Sequence, residues 1–155
     1  MSRLFHKVSE AQLTNDAPAL VLEDIKKPKR GTKLSAGHDF FAPFGFSLDK
    51  GEEIKIPTGI KAEMEDNEAL VIMPRSSLGF KYYVRLANTL GLIDADYING
   101  KNEGHIWIKI RNESDQSLVI EKGEAFAQGV FINYLVVDDD DVKDERVGGI
   151  GSTND

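Results

Sequence analysis

The chain has 155 residues, 41% of them hydrophobic, no cysteine and a formal net charge of −7. That length suits one domain with a core of its own, and the lack of cysteine excludes a disulfide framework, a thiolate metal site and a cysteine nucleophile. The acidic balance argues against duplex nucleic acid, which is bound through many Lys and Arg on phosphates; no apolar run has the length of a membrane span, and no signal-peptide stretch opens the chain, so a cytoplasmic-type protein is expected.

In chain order, Ser9–Leu13 reads as one helical turn and Ala19–Ile25 as a strand. Phe40, Phe41, Phe44 and Phe46 are interrupted by Pro43 and Gly45, which predicts two short strands with a bend. Ala69–Met73 is an apolar strand ending at Pro74, and Ser77–Val84 suits about two helical turns. In His105–Arg111, Ile106, Ile108 and Ile110 face one way and Trp107, Lys109 and Arg111 the other. Ser117–Ile120 and Phe126–Leu135 are further strands. Residues 138–155 are an acidic, solvated linker carrying a Gly-rich tail, set apart from a β-fold body at 1–137. His6, His38 and His105 stand alone, off metal-ligand spacing, and read as surface or half-buried imidazoles. Short strands between turn signals predict an all-β class.

Five segments carry chemistry-bearing residues. In Pro74-Arg75-Ser76-Ser77-Leu78-Gly79 a strand delivers a guanidinium and two hydroxyls to a helix start, where anions bind; a plain N-cap by Ser76 or Ser77 is the commoner use of such serines. Asn88-Thr89-Leu90-Gly91-Leu92-Ile93-Asp94-Ala95-Asp96-Tyr97 suits a β-hairpin lining a pocket. Its backbone could pair with a base edge, a carboxylate could position a water, and a Tyr could stack on a sugar face; a turn with solvated acids is the plainer alternative. Lys122-Gly123-Glu124-Ala125-Phe126-Ala127-Gln128 opens a strand. In Arg146-Val147-Gly148-Gly149-Ile150-Gly151-Ser152-Thr153 the glycines would let amides approach an anion, although the spacing is not that of a Walker A loop and no Lys follows. Ala36-Gly37-His38-Asp39-Phe40-Phe41-Ala42 enters a strand through a Gly turn.

Together and in this order, these segments resemble the five motifs of the trimeric dUTPase family: AGHDFFA the first, PRSSLG the second, NTLGLIDADY the third, GEAFAQ the fourth and RVGGIGST the fifth. The stretch after Tyr97, INGKNEGHIW, resembles phage-encoded members, whose location would be the host cytoplasm. The resemblance implies a distorted jelly-roll-like β-barrel or sandwich with one short helix and a flexible C-terminal arm. It also implies a homotrimer with active sites between subunits, and hydrolysis of dUTP to dUMP and pyrophosphate. Mg²⁺ would be held mainly by the substrate's phosphates and waters, since it favours octahedral oxygen coordination with few protein ligands.

Carried over by position, Asp94 would place a water in line with the α-phosphorus. Arg75, Ser76, Ser77 and Gln128 would hold phosphate oxygens, and Asp39 would act through water near the metal. Asn88, Gly91, Leu92 and Ile93 would read uracil. Fixed hydrogen-bond groups there could reject cytosine by roughly 10⁴-fold, while the thymine methyl would overpack the site at ~1–3 kcal/mol. Tyr97 would lie beneath the deoxyribose and leave no room for a 2′-hydroxyl. Arg146, Gly148, Gly149, Ile150, Gly151, Ser152 and Thr153 would close over the triphosphate as a lid. Two departures stand out: Ile150 replaces a Phe that stacks on uracil, and Phe126 replaces an Ile.

Two rival functions remain on this fold. A dCTP deaminase would need a catalytic Glu before an Asn, and the matching strand has Lys109 before Asn112. A phage-type member could also bind a regulatory protein, with or without catalysis.

Overall fold

The computed structural model describes residues 2–148. Among them, twelve strands and two α-helices follow in chain order: β1 (Leu4–Lys7), α1 (Glu10–Asp16), β2 (Lys29–Arg30), β3 (His38–Phe41), β4 (Phe46–Leu48), β5 (Glu53–Pro57), β6 (Ile60–Glu63), β7 (Glu68–Pro74), α2 (Ser76–Tyr82), β8 (Arg85–Leu86), β9 (Gly91–Asp94), β10 (Trp107–Arg111), β11 (Leu118–Ile120) and β12 (Ala125–Asn133). Two 3-10 turns span Leu22–Asp24 and Ala95–Asn99. No helix is long and apolar enough to cross a membrane among the described residues.

Antiparallel pairing gives a five-stranded sheet of order β2-β3-β12-β7-β9, a three-stranded sheet β5-β10-β8 and two ribbons, β1-β6 and β11-β4. This is a jelly-roll-like all-β fold. One core runs through it, because each sheet turns alternate side chains inward. Ile106, Ile108 and Ile110 are all buried, and the outward residues of β10 are exposed or half-buried, as the alternation requires. Each such Ile contributes about 1.5–3 kcal/mol by leaving water. They meet Ile56 from β5, Leu70 and Ile72 from β7, Phe40 from β3 and Phe126 from β12 in that core. Phe126 is therefore a packing residue, and a Phe in place of the Ile that the resemblance implies there changes core volume.

Several expectations need correction. Ala19–Ile25 is not a strand: the amides of Leu20, Asp24 and Ile25 bond three residues back, to Ala17, Val21 and Leu22, so local turns satisfy the backbone and Ile25 is left to fill the core. There are two short helices rather than one. The Ser9 hydroxyl caps the start of α1 by accepting from the Gln12 amide at 3.1 Å, and the helix runs on to Asp16, beyond the expected turn. Strands β1, β2, β5, β6 and β8 are not among the expected elements, although Ile54 and Ile56 alternate with charged residues in Glu53–Pro57. His105 is completely buried rather than at the surface or half-buried.

The expected hairpin around Gly91 is a corner. β8 pairs with β10 in one sheet and β9 with β7 in another, joined through a single bridge between Leu86 and Thr89. What the hairpin was meant to supply is still there. β9 is an edge strand, so its outer backbone groups are unpaired within the sheet.

Candidate active site

Strand β7 organises the site, because sequence-predicted residues gather at both of its ends. At the Pro74 end, Pro74 pairs with Ala127 of β12, and Asp39 of β3 pairs with Gln128. Gln128 Nε2 donates to the Pro74 carbonyl at 3.2 Å, and Arg75 Nε lies 3.4 Å from Asp39 Oδ1. Gly37 makes room here, since a Cβ at that position would stand 2.2 Å from Gln128 Oε1. The N-cap of α2 is Arg75, whose side chain makes no capping bond, so the capping role expected of Ser76 or Ser77 is not taken up. Both hydroxyls instead line a pocket of about 400 Å³ with Asp39, Arg75, Gln128, Gly37, Gly31, Thr32 and Ser35. A guanidinium, two hydroxyls and a helix start facing one cavity form a setting for phosphate. Thr32 and Ser35 were missed in the sequence; their signal was the Gly-Thr-Lys-Leu-Ser-Ala-Gly loop at 31–37.

At the other end, β9 lies against β7 with Gly91 opposite Ile72, Leu92 opposite Val71, Ile93 opposite Leu70 and Asp94 opposite Ala69. Alternation along β9 buries Gly91 and Ile93 in the sheet and exposes Leu92 and Asp94. Asp94 and Asp96 line a second pocket of about 560 Å³ with Leu92, Asn99, Ile132, Tyr134 and Arg146. Asn88 sits exposed in the corner before β9. The guanidinium expected over the triphosphate lies here instead: Arg146 Nη2 is 2.6 Å from Asp94 Oδ2, and Nε is 2.7 Å from Asp96 Oδ1. The side chain of Arg146 is 11% exposed, and its guanidinium carbon stands 6.0 Å from the centre of the Tyr97 ring. The hydrogen bond to Asp96, reinforced by the charge of Asp94, holds that guanidinium still more firmly protonated. Tyr97 is 4% exposed, and burial pushes its phenol upward. Asp96 was not singled out in the sequence, though its place in GLIDADY was the clue.

The two ends do not meet within one chain. Asp94 is opposite Ala69, and Arg75 follows Ala69 by six positions of extended strand, or about 20 Å at 3.3–3.4 Å per residue. Gly149, Ile150, Gly151, Ser152 and Thr153 lie outside the described residues. Among the described residues, no three His, Asp or Glu side chains gather as a metal cage. Lys109 lies exposed on β10, paired with Glu53 at 3.2 Å, away from both pockets.

The family model described as dUTPase matches residues 23–154. A deoxyuridine 5'-triphosphate nucleotidohydrolase of Lactococcus lactis subsp. lactis (strain IL1403) is 48% identical over 132 residues, covering 83% of this chain and 88% of the relative. The crystal structure of a dUTPase from Streptococcus mutans superposes with a TM-score of 0.69 at 36% identity, over 86% of this chain and 98% of that one. A mutant dUTPase from phage phi11 of S. aureus, described with a structural Mg(II) ion, has a TM-score of 0.67 at 18% identity, over 93% of this chain and 98% of its own. At that identity the likeness carries the fold alone.

Proposed function

The chain belongs to the dUTPase family and hydrolyses dUTP to dUMP and pyrophosphate, and from that premise we propose that it works at sites shared between the subunits of a homotrimer. The observation that carries this is the separation of the two pockets along β7. A reacting phosphorus must lie within one water of its base and within a hydrogen bond of its phosphate ligands. Residues about 20 Å apart on one rigid strand cannot both serve it. The Asp94 end of one subunit must face the Arg75 end of another, and closed rotation about a threefold axis repeats that pairing three times.

In such a site the outer edge of β9 reads the base, with fixed amides and carbonyls set for the uracil donor and acceptor pattern. Tyr97 floors the sugar. Asp94 orients a water toward the α-phosphorus and accepts its proton as the bond forms. Arg75, Ser76, Ser77 and Gln128 take up the charge that grows on the phosphoryl oxygens and on the departing pyrophosphate. Asp39, which lines the phosphate pocket beside Arg75, would hold through water an ion carried by the triphosphate. Mg²⁺ bound there supplies charge neutralisation and fixes the conformation of the phosphates.

Arg146 must give up Asp94 and Asp96 for phosphate oxygens before it can act as part of a lid. That exchange frees Asp94 Oδ2 as the lid closes, so closure and activation of the base are one event. Pyrophosphate release from dUTP, dCTP, dTTP and UTP, measured together with sedimentation, tests the reading. Selective hydrolysis of dUTP by a trimer is expected, and an active monomer would overturn the shared site. Deamination is disfavoured by the position of Lys109, and no regulatory partner is proposed.

A further inference from the structure

Tyr97 is held by its far end. Its hydroxyl donates to the His105 carbonyl at 2.8 Å and accepts from Asn102 Nδ2 at 2.9 Å. Both partners belong to the loop that doubles back after the second 3-10 turn. That reversal needs Gly104, at φ 77, because a Cβ there would stand 2.5 Å from Ile98 Cα. Asn102 Oδ1 accepts from the Gly104 amide at 3.1 Å, so one side chain ties the reversal to the phenol.

The loop is in turn gripped by the N-terminal segment. Glu103 sits at φ 61, a left-handed conformation that a Glu keeps only when its surroundings fix it. The Ser9 amide donates to its carboxylate at 3.0 Å, the Ser9 hydroxyl also donates to it, and Lys61 Nζ reaches it at 3.3 Å. At the other end of α1, Asp16 Oδ2 is 2.6 Å from His105 Nδ1, while His105 Nε2 accepts from the Gly59 amide at 2.8 Å. With Nε2 accepting, Nδ1 carries the proton and donates to Asp16. This buried imidazole has both nitrogens used and touches neither pocket.

We propose that Asn102 and the Asp16–His105 pair are positioning residues that set the height and tilt of the Tyr97 ring, and through it the exclusion of a ribose 2′-hydroxyl. The inference rests on the reading of Tyr97 as the sugar floor. Two bonds at the para position fix how deep the ring sits. Loss of either lets it sink or tilt by a fraction of an ångström, which is the room an extra hydroxyl needs. Base reading by the β9 edge is not connected to this chain of bonds, so sugar and base selectivity separate.

The test uses the full chain with Asn102→Ala and Asp16→Ala, and steady-state kinetics on dUTP, UTP and dCTP. For each variant the kcat/KM ratio of dUTP to UTP should fall about 3–10-fold, as expected from one lost hydrogen bond, while the ratio of dUTP to dCTP stays within about 2-fold. If both ratios fall together, or if neither moves in Asn102→Ala, the positioning role is overturned; Asn102→Ala decides alone should Asp16→Ala fail to fold. Tyr97→Leu, with its β-sheet circular dichroism intact, separates the underlying reading. An unchanged dUTP-to-UTP ratio in that variant shows that Tyr97 is not the sugar floor, whereas a collapsed ratio beside an unaffected Asn102→Ala removes only the positioning role.

Discussion

The two ends of β7 differ in how finished they are. At the Pro74 end, Arg75 has among the described residues a single loose partner, Asp39 at 3.4 Å, and two serine hydroxyls face an open pocket. At the Ala69 end, Arg146 is already clamped on Asp94 and Asp96 at 2.6 and 2.7 Å, and Tyr97 is locked from behind by Asn102 and His105. One half waits for an anion; the other holds its own cation. A strand that carries both, too far apart to cooperate, is what the proposed sharing of sites between subunits explains, and on that reading the Arg146 clamp partly offsets the charge of Asp94 and Asp96 until substrate arrives.

Mixing variants breaks or sustains this contrast most directly. Asp94→Asn should lower kcat by at least ~10² with dUTP affinity nearly intact, and Arg75→Ala should cost ~10² or more through lost phosphate stabilisation. Equal amounts of the two, unfolded and refolded together, should recover roughly a quarter of the wild-type rate, since a shared site has one chance in four of drawing an intact half from each subunit. No recovery in mixed trimers would place the whole site within one chain.

Cutting the chain after Glu145 removes Arg146 and the Gly-rich arm together. Turnover should be largely abolished while sedimentation still gives a trimer, because the cut falls well beyond β12, the last strand of the core. Full activity of the shortened chain would make the arm dispensable. A milder cut into the same half is Arg146→Ala, expected to lower kcat/KM by about 10- to 100-fold through one lost charge-assisted contact; an unchanged kcat/KM would show that the clamp on Asp94 never converts into a contact with substrate.

The smallest effect concerns acid. Burial pushes the Asp16 carboxyl up, but hydrogen bonds from Gln12, His105 and Asn15 more than offset this and hold it below its usual value. Hydrogen bonds from Ser9, with Lys61 beside them, hold Glu103 below its usual value as well. Both contribute stability that is complete above the ordinary carboxylate range and is lost as pH falls through it, below about pH 5. Because both brace the loop behind Tyr97, acid should loosen that half before the phosphate half. Hydrogen exchange at pH 7 and pH 4 should show residues 98–105 losing protection before β3 and β12, and Asp16→Ala should flatten the decline of Tm between pH 6 and 4. Equal loss of protection in both halves would remove the distinction.

Much of the site was legible in the sequence because it lies in short contiguous runs. Arg75-Ser76-Ser77 follow an apolar strand that had to end at Pro74, and Gly91-Leu92-Ile93-Asp94 alternate at the period of a strand, so local chemistry alone put each group at an element's end. The isoleucines of β10 declared the core by the same alternation. Other features could not be read this way. Ala19–Ile25 is as apolar as a strand, yet Ile25 reaches the core from the end of a 3-10 turn, because its amide and that of Asp24 bond three residues back instead of to a neighbouring strand. Nothing local joins Asp16 to His105 or Ser9 to Glu103, separated by 89 and 94 positions. The register of β7 alone decided that Asp94 and Arg75 stand at opposite ends of one strand. The sequence by itself determined which reactive groups stand at the ends of strands and which strand faces are buried, since both follow from residue type and period. Only the tertiary structure decided which of them meet, because that depends on which distant strands share hydrogen bonds, and no period along the chain encodes it.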